Sequence, residues 1–253
     1  MREWGAKLRF TAPSALMEEF YREVSPELQN FILSGSGDFH HLSALWLRRF
    51  PRPLTLVSFD NHPDWDRRPP RWSCGGWINR ALELEHVQRA AVWGCGNFEL
   101  KWPNRIFGNR AAVRSGRLQL FAWEERYGAG DWSAIRRENW KKQFETFAGG
   151  LREEDVYVTV DLDCLASGDS VTQWEQGLFT AGDAAWALKT LRSSARIVGG
   201  DLCGAWSPPV HARRTQAFVS GFDHPKIPGI TLAKAQEVNV RAFRTIWPAL
   251  TGA

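Results

Sequence analysis

Two apolar runs of this chain end in closely spaced carboxylates. In Val156-Tyr157-Val158-Thr159-Val160-Asp161-Leu162-Asp163, β-branched and aromatic residues lead into two aspartates two positions apart. In Leu54-Thr55-Leu56-Val57-Ser58-Phe59, a similar run leads into Asp60-Asn61-His62-Pro63-Asp64. Runs of this kind belong to strands covered on both faces of a parallel sheet. Side chains alternate along an extended backbone, so Asp161 and Asp163 are expected to face one way, as are Asp60, His62 and Asp64. Ionised carboxylates gathered at a buried strand end repel one another and are costly to desolvate. A divalent cation between them relieves both effects. Carboxylate oxygens with a neutral imidazole suit Mn, Fe, Zn or Mg-type ions. Five such side chains exceed what one tetrahedral zinc needs, which points to two metals with bridging carboxylates.

A third stretch, Gly35-Ser36-Gly37-Asp38-Phe39-His40-His41, places a histidine pair after a glycine turn. It follows the short run Phe31-Ile32-Leu33-Ser34 and precedes a helical pattern over Leu42–Phe50. Active sites of open α/β sheets gather at such strand-to-helix junctions. The turn lacks the third glycine of a dinucleotide fingerprint. Taken with the two carboxylate motifs, it offers at least one further ligand.

The totals fit a globular chain. Among 253 residues, 43% are hydrophobic, 24% are charged and the formal net charge is +4. The basic residues are scattered and no nucleic-acid motif accompanies them, so no nucleic-acid partner is expected. Cys74, Cys95, Cys164 and Cys203 form no Cys-x-x-Cys pair or zinc-finger spacing. No signal-peptide pattern and no bilayer-length apolar run is read, so a cytoplasmic protein without membrane contact is expected. Fourteen tryptophans are present, of which Trp65, Trp72, Trp77, Trp174 and Trp206 lie near the motifs and could wall a pocket.

Strand and helix patterns alternate along the chain. Strands are expected near Lys7–Phe10, Phe31–Ser34, Leu54–Phe59, Val87–Trp93, Leu118–Phe121, Val156–Val160 and Ala195–Val198. Helices are expected over Ser14–Glu23, Leu42–Phe50, Trp77–Glu85, Trp132–Phe147, Ala181–Arg192 with Thr180 as N-cap, and Leu232–Trp247. Asn97–Arg117 reads as a long loop with a short helix, and a loop carrying His211 and His224 precedes the last helix. No linker or internal repeat interrupts the alternation. One α/β domain over residues 1–253, three-layered with a mostly parallel sheet, is the expected architecture.

The three motifs, in this order, resemble those of the ureohydrolases: arginase, agmatinase and formimidoylglutamase, and more distantly the histone deacetylases. The family pattern is a glycine-rich turn with a histidine, then Asp-x-His-x-Asp, then Asp-x-Asp. Here these are Gly37-Asp38-Phe39-His40-His41, Asp60-x-His62-x-Asp64 and Asp161-x-Asp163. The loop Gln173–Thr180 is similar to the stretch leading into the family's Gly-Gly-Leu-Thr turn. The resemblance implies an arginase/deacetylase-like α/β fold and two divalent ions, Mn2+ first, with Zn2+, Fe2+ or Co2+ as alternatives. It also implies a small-molecule substrate and a homo-oligomer. Asp60 and Asp161 would bridge the ions. Asp64 and one of His40 and His41 would complete one shell, with His41 preferred because Leu42-Ser43 resembles the start of the family's helix. His62 and Asp163 would complete the other.

Substrate residues depart from the family. Gly204 stands where arginase-like enzymes place the glutamate that grips the guanidinium, and the loop Ser73-Cys74-Gly75-Gly76-Trp77 lacks their proton-shuttling histidine. An unmatched guanidinium forgoes about 1.5–3 kcal/mol of charge-assisted bonding. Asp201, His211 and His224 remain as candidates for proton transfer, each weighed against a structural role. The expected activity is metal-dependent hydrolysis of a linear C–N bond in a small amide or amidine other than arginine or agmatine. The alternative is a metal-binding protein of this fold without catalysis. A dinuclear phosphoesterase would need basic residues at the metals, for which only Arg67 and Arg68 adjoin a motif.

Overall fold

The computed structural model describes residues 2–127, 130–223 and 229–253. Seven strands form one sheet: β1 (Phe31–Leu33), β2 (Leu54–Phe59), β3 (Val87–Cys95), β4 (Leu118–Trp123), β5 (Ser133–Ile135), β6 (Asp155–Asp161) and β7 (Arg196–Cys203). Their order is β1-β7-β6-β2-β3-β4-β5, and every pairing is parallel. The helices are α1 (Arg2–Leu8), α2 (Ser14–Val24), α3 (Ser43–Trp46), α4 (Trp77–Leu82), α5 (Arg110–Arg114), α6 (Glu124–Tyr127), α7 (Trp140–Gly149), α8 (Ala181–Ser194), α9 (Arg214–Asp223) and α10 (Leu232–Thr251).

The β2 and β6 runs are apolar throughout because both faces of these strands are covered, and every residue of the two strands is buried. Alternate side chains feed two separate cores. Val57 and Val158 meet α7, α8 and α10 through Phe144, Leu188 and Ile246. Leu56 and Tyr157 meet α1 to α4 through Leu8, Met17, Leu45 and Trp77. The result is the expected helix–sheet–helix sandwich, with an entirely parallel sheet. The N-cap at Thr180 is a full capping box: its side chain accepts from Asp183 N at 3.0 Å, and Asp183 Oδ2 accepts from Thr180 N at 2.9 Å.

Three expectations fail locally. Residues 7–10 are not a strand: α1 ends at Leu8, and Trp4 and Leu8, four apart, bury the same helix face. The stretch 132–147 splits into the edge strand β5 and α7, whose buried Trp140, Phe144 and Ala148 carry the helical period. The loop before α10 contains α9. It escapes a period-based reading because Phe218, Val219 and Phe222 point to solvent and leave no apolar stripe facing the core.

Candidate metal centre

β2 and β6 lie side by side at the centre of the sheet with Phe59 opposite Val160, so their carboxyl ends deliver both acidic motifs to one place. Turns aim the side chains, not the strand alternation expected from sequence. β2 ends at Phe59, and Asp60 Oδ1 accepts from His62 N at 2.7 Å to close a tight bend. Asp64 is left-handed, with φ of 47°. On β6, Asp161 Oδ1 accepts from Asp163 N at 3.0 Å and starts the 3-10 turn Leu162–Cys164. The aspartates therefore fix their own loops and leave a second oxygen each for the site.

Those oxygens form two groups. His40 Nδ1 lies 3.1 Å from Asp60 Oδ2, 3.3 Å from Asp64 Oδ2 and 3.5 Å from Asp161 Oδ2. His62 Nδ1 lies 2.7 Å from Asp163 Oδ2 and 3.6 Å from Asp60 Oδ1. Asp60 faces both groups, one oxygen to each, and Asp161 Oδ2 stands on the His40 side. All six side chains are buried.

The far nitrogens decide what the near ones offer. Thr159 Oγ1 donates its single proton to Asp201 Oδ1 at 2.8 Å, so it accepts from His40 Nε2–H at 2.9 Å. Glu175 Oε2 accepts from His62 Nε2–H at 3.2 Å. Each ring's Nδ1 is thereby turned to carboxylate oxygens, and in the neutral ring it would be a lone pair open to a cation lying among them. Asp60 Oδ2, buried, accepts no hydrogen bond among the described residues. The donor set thus fits divalent ions on its own geometry.

Without an ion, the same crowding of carboxylates favours protonated rings. Burial works against a charge on His40 and His62, yet the facing aspartates hold both imidazoles well above their ordinary range. Burial raises Asp64 to about 7, with Asp60 adding to it. Asp161 and Asp163 are also raised by burial and by their neighbouring aspartates. Burial opposes ionisation of Asp60 too, but the adjacent His40 and His62 imidazoles prevail and keep it low. Compressed like charges of this kind mark a functional site.

Of the histidine pair, the structure puts His40 among the carboxylates, not the preferred His41. Both lie in the 3-10 turn Gly37–Leu42, where consecutive side chains diverge by about 120°. The His41 ring is fully buried and turned away, and burial lowers it to about 4. Of the proton-transfer candidates, neither Asp201 nor His211 is brought into the cavity. Asp201 is sealed beneath it, accepting from Ser43 Oγ at 3.0 Å, Tyr157 OH at 2.7 Å and Thr159, so it orients His40 through Thr159. His211 stands outside the cavity lining, in a loop pinned to α1 by Ala212 N and Ala6 O at 2.9 Å. His224 lies outside the described residues.

Sequence reasoning missed Thr159, Glu175, Cys203 and Glu99. Cys203 Sγ donates to Asp161 Oδ2 at 3.2 Å. The tryptophans divide: Trp174 lines the cavity and packs edge-on to His62 at 5.4 Å, Trp77 donates to Asp64 Oδ2, and Trp65 and Trp72 belong to the core. The close approach of Gly37 is required, since a Cβ there would come 2.9 Å from Asp161 Oδ2 and 3.0 Å from Trp174. Among the described residues no helix is long and apolar enough to cross a membrane.

No family model matches the chain. A Thermotoga maritima protein, described as uncharacterized, is 28% identical over 193 residues, which are 74% of this chain; the chain spans 65% of that relative's length. Solved structures give wider likeness at lower identity. The arginase of Bacillus cereus superposes with a TM-score of 0.59 at 13% identity, over 94% of this chain and 78% of its own. The formiminoglutamase of Trypanosoma cruzi, in a variant with Mn2+, gives 0.58 at 17% identity, over 95% and 73%. The proclavaminate amidino hydrolase of Streptomyces clavuligerus gives 0.52 at 14%, over 93% and 70%. The seven parallel strands, their flanking helices and these superpositions together give the chain the ureohydrolase fold, shared with arginases and formiminoglutamases.

Proposed function

We propose that the chain is a metal-dependent hydrolase that cleaves a C–N bond of amide or amidine type in a small nitrogenous compound other than arginine or agmatine. The observation that carries this reading is the pair of buried imidazoles whose Nδ1 atoms are set among four buried carboxylates while each Nε2 is held from behind. In this reading His40, Asp64 and Asp161 hold one divalent ion, His62 and Asp163 hold a second, and Asp60 reaches both. Such ions, when bound, supply an acidified water and polarise the atom attached to the carbon under attack. The chain does the rest. Thr159 and Glu175 fix the two rings, while Phe10 and Trp174 exclude water from one wall of the cavity. One solved relative is by name an amidino hydrolase and another carries Mn2+, which supports the same chemistry and that metal.

Gly204 leaves the late strand end without a carboxylate for a guanidinium, which argues for a different substrate. A phosphate ester is disfavoured, since Arg68, which lines the cavity, is tied to Asp66 at 2.8 Å through Nε. Elemental analysis of wild type and Asp161→Ala, with a screen of amides, amidines and acetylated amines on Mn, Zn and Fe forms, tests the proposal. Close to two ions per wild-type chain, lost in the variant together with turnover, is the expected result. A wild type that stays metal-free after reconstitution sinks it. Metal bound without turnover of any substrate class favours the non-catalytic reading.

A further inference from the structure

The cavity above the ligand set, about 280 Å³, needs more than ions and walls. Hydrolysis of a C–N bond must end with a proton on the departing nitrogen, because an unprotonated amide anion is a very poor leaving group. Among the described residues, Asp201 and His211, expected to supply it, are elsewhere, and the ligand imidazoles are engaged at both nitrogens. Four other ionisable side chains matter in the lining. Asp66 is held by Arg68. Asp223 is exposed on the last turn of α9. Burial pushes the Cys74 thiol well up, making it a weak acid. The fourth is Glu99.

Glu99 sits in the short 3-10 turn Phe98–Leu100 that follows β3, fixed by Asn97, whose Oδ1 accepts from Glu99 N at 3.2 Å. Its Oε2 is closed off from solvent and has no hydrogen-bond partner among the described residues. Its Oε1 faces the loop Ser73–Gly76: a Cβ built on Gly75 would meet it at 3.7 Å. That glycine loop has no acid–base side chain of its own to turn into the cavity besides the Cys74 thiol, and the Glu99 carboxyl fills the space in front of it. An unpartnered carboxyl beside a reactive site is costly to keep unless it has work there.

We propose that Glu99 is the proton-transfer group of this site, giving its carboxyl proton to the departing nitrogen. This inference rests on the hydrolytic reading above. The oxygen of the attacking water bonds to the substrate carbon, the C–N bond breaks with its electron pair going to nitrogen, and Glu99 protonates that nitrogen. The proton given up by the water restores Glu99, so the cycle closes with no further reactant. The charges facing Glu99 suit the role. Burial raises its carboxyl to about 8; His62, from the turn after β2, pulls it down, and Asp64, Asp66 and Asp60 push it up. Burial thus favours the protonated carboxyl that the role needs.

Two measurements test this, one of them independent of turnover. The first is a pH titration of zinc-loaded protein carrying ¹³C-carboxyl glutamate, followed by NMR, with Glu99→Gln assigning the resonance. Titration near pH 8 is expected. A Glu99 that titrates below about pH 5, as an ordinary glutamate does, overturns the proposal. The second compares manganese-loaded wild type and Glu99→Gln on 4-nitroacetanilide, whose leaving amine needs a proton, and on 4-nitrophenyl acetate, whose leaving phenolate does not. The variant is expected to keep its metal content, lose about 100-fold or more in kcat on the anilide and hold its rate on the ester. Added imidazole should restore part of the anilide rate. Equal losses on both probes, or a change in KM alone, overturn it and make Glu99 a binding residue. A wild type inert to both probes counts against the hydrolytic reading, and the titration then decides Glu99 alone.

Discussion

Thr159 has one hydroxyl proton, and it goes to Asp201. From that single donation it follows that His40 Nε2 is the donor to Thr159, which leaves Nδ1 turned to three carboxylates. Glu175 does the same for His62 from a different loop. Gly204 shows the opposite kind of constraint. Its φ of +99° is one that L side chains rarely adopt, and a Cβ there would come 2.3 Å from Asp161 Oδ1 and 2.4 Å from Leu162 N. Restoring a glutamate at this position therefore cannot restore a guanidinium grip. Gly204→Glu is expected to lose at least about 2 kcal/mol of stability and to weaken metal binding, with no gain of arginine hydrolysis. Urea melts with metal analysis and a urea-release assay check it, and a stable, arginine-cleaving variant would refute it. Asp60, His62, Asp64, Asp161 and Asp163 were legible in the sequence because their spacing follows apolar runs. Thr159 and Glu175 were not, because each acts on a histidine more than a hundred positions away, and Glu99 was not, because only the fold brings its turn to the cavity. The choice between His40 and His41 was hidden for another reason: it depends on the twist of a turn, which residue type does not reveal.

At the scale of elements, loops fix the site more than strands do. Asn61 N donates to Asp163 Oδ1 at 3.1 Å and Asn61 Nδ2 to Glu175 O at 2.7 Å, tying the loop after β2 to the loop after β6. Arg9 ties a third loop to them. Just beyond α1 and nearly fully buried, it binds Asp38 at 2.6 Å, Gln173 Oε1 at 2.7 Å and the carbonyls of Ser207 and Pro208 at 2.8 and 3.1 Å. Asp38 is two residues from His40, so this buried pair sets where the histidine turn sits. Arg9→Met leaves Asp38 buried without its cation and is expected to cost about 3 kcal/mol. Chemical denaturation measures it, and a loss within error of zero would show the network to be dispensable. The sequence suggested a strand at this point, and no local pattern announces a buried arginine whose partners lie 29 to 199 positions away.

Across the whole molecule, the sheet was legible because uninterrupted apolar runs alternate with helical periods, and its all-parallel order follows from helices covering both faces. The short edge strand β5 and the outward-facing α9 were not, since neither contributes an apolar stripe to the core. A site that draws candidate ligands from the turn after β2, from the end of β6 and from the histidine turn after β1 links the centre of the sheet to the helical layer. Bound ions should therefore stabilise the fold as a whole. Stripping them with a chelator is expected to lower Tm on the order of 10 °C, and Asp161→Ala should abolish the difference. Equal Tm with and without chelator, in protein shown to carry metal, would contradict it. The position of β6 between β2 and β7 also sets a schedule. His40, Asp60, His62 and Asp64 leave the ribosome about a hundred residues before Asp161 and Asp163, and β6 has no lasting place until β7 covers its outer edge. A growing chain thus carries four of its six candidate ligands, exposed and unmatched, through much of its synthesis, and in the proposed reading it completes its ion sites only once the segment through Cys203 has emerged.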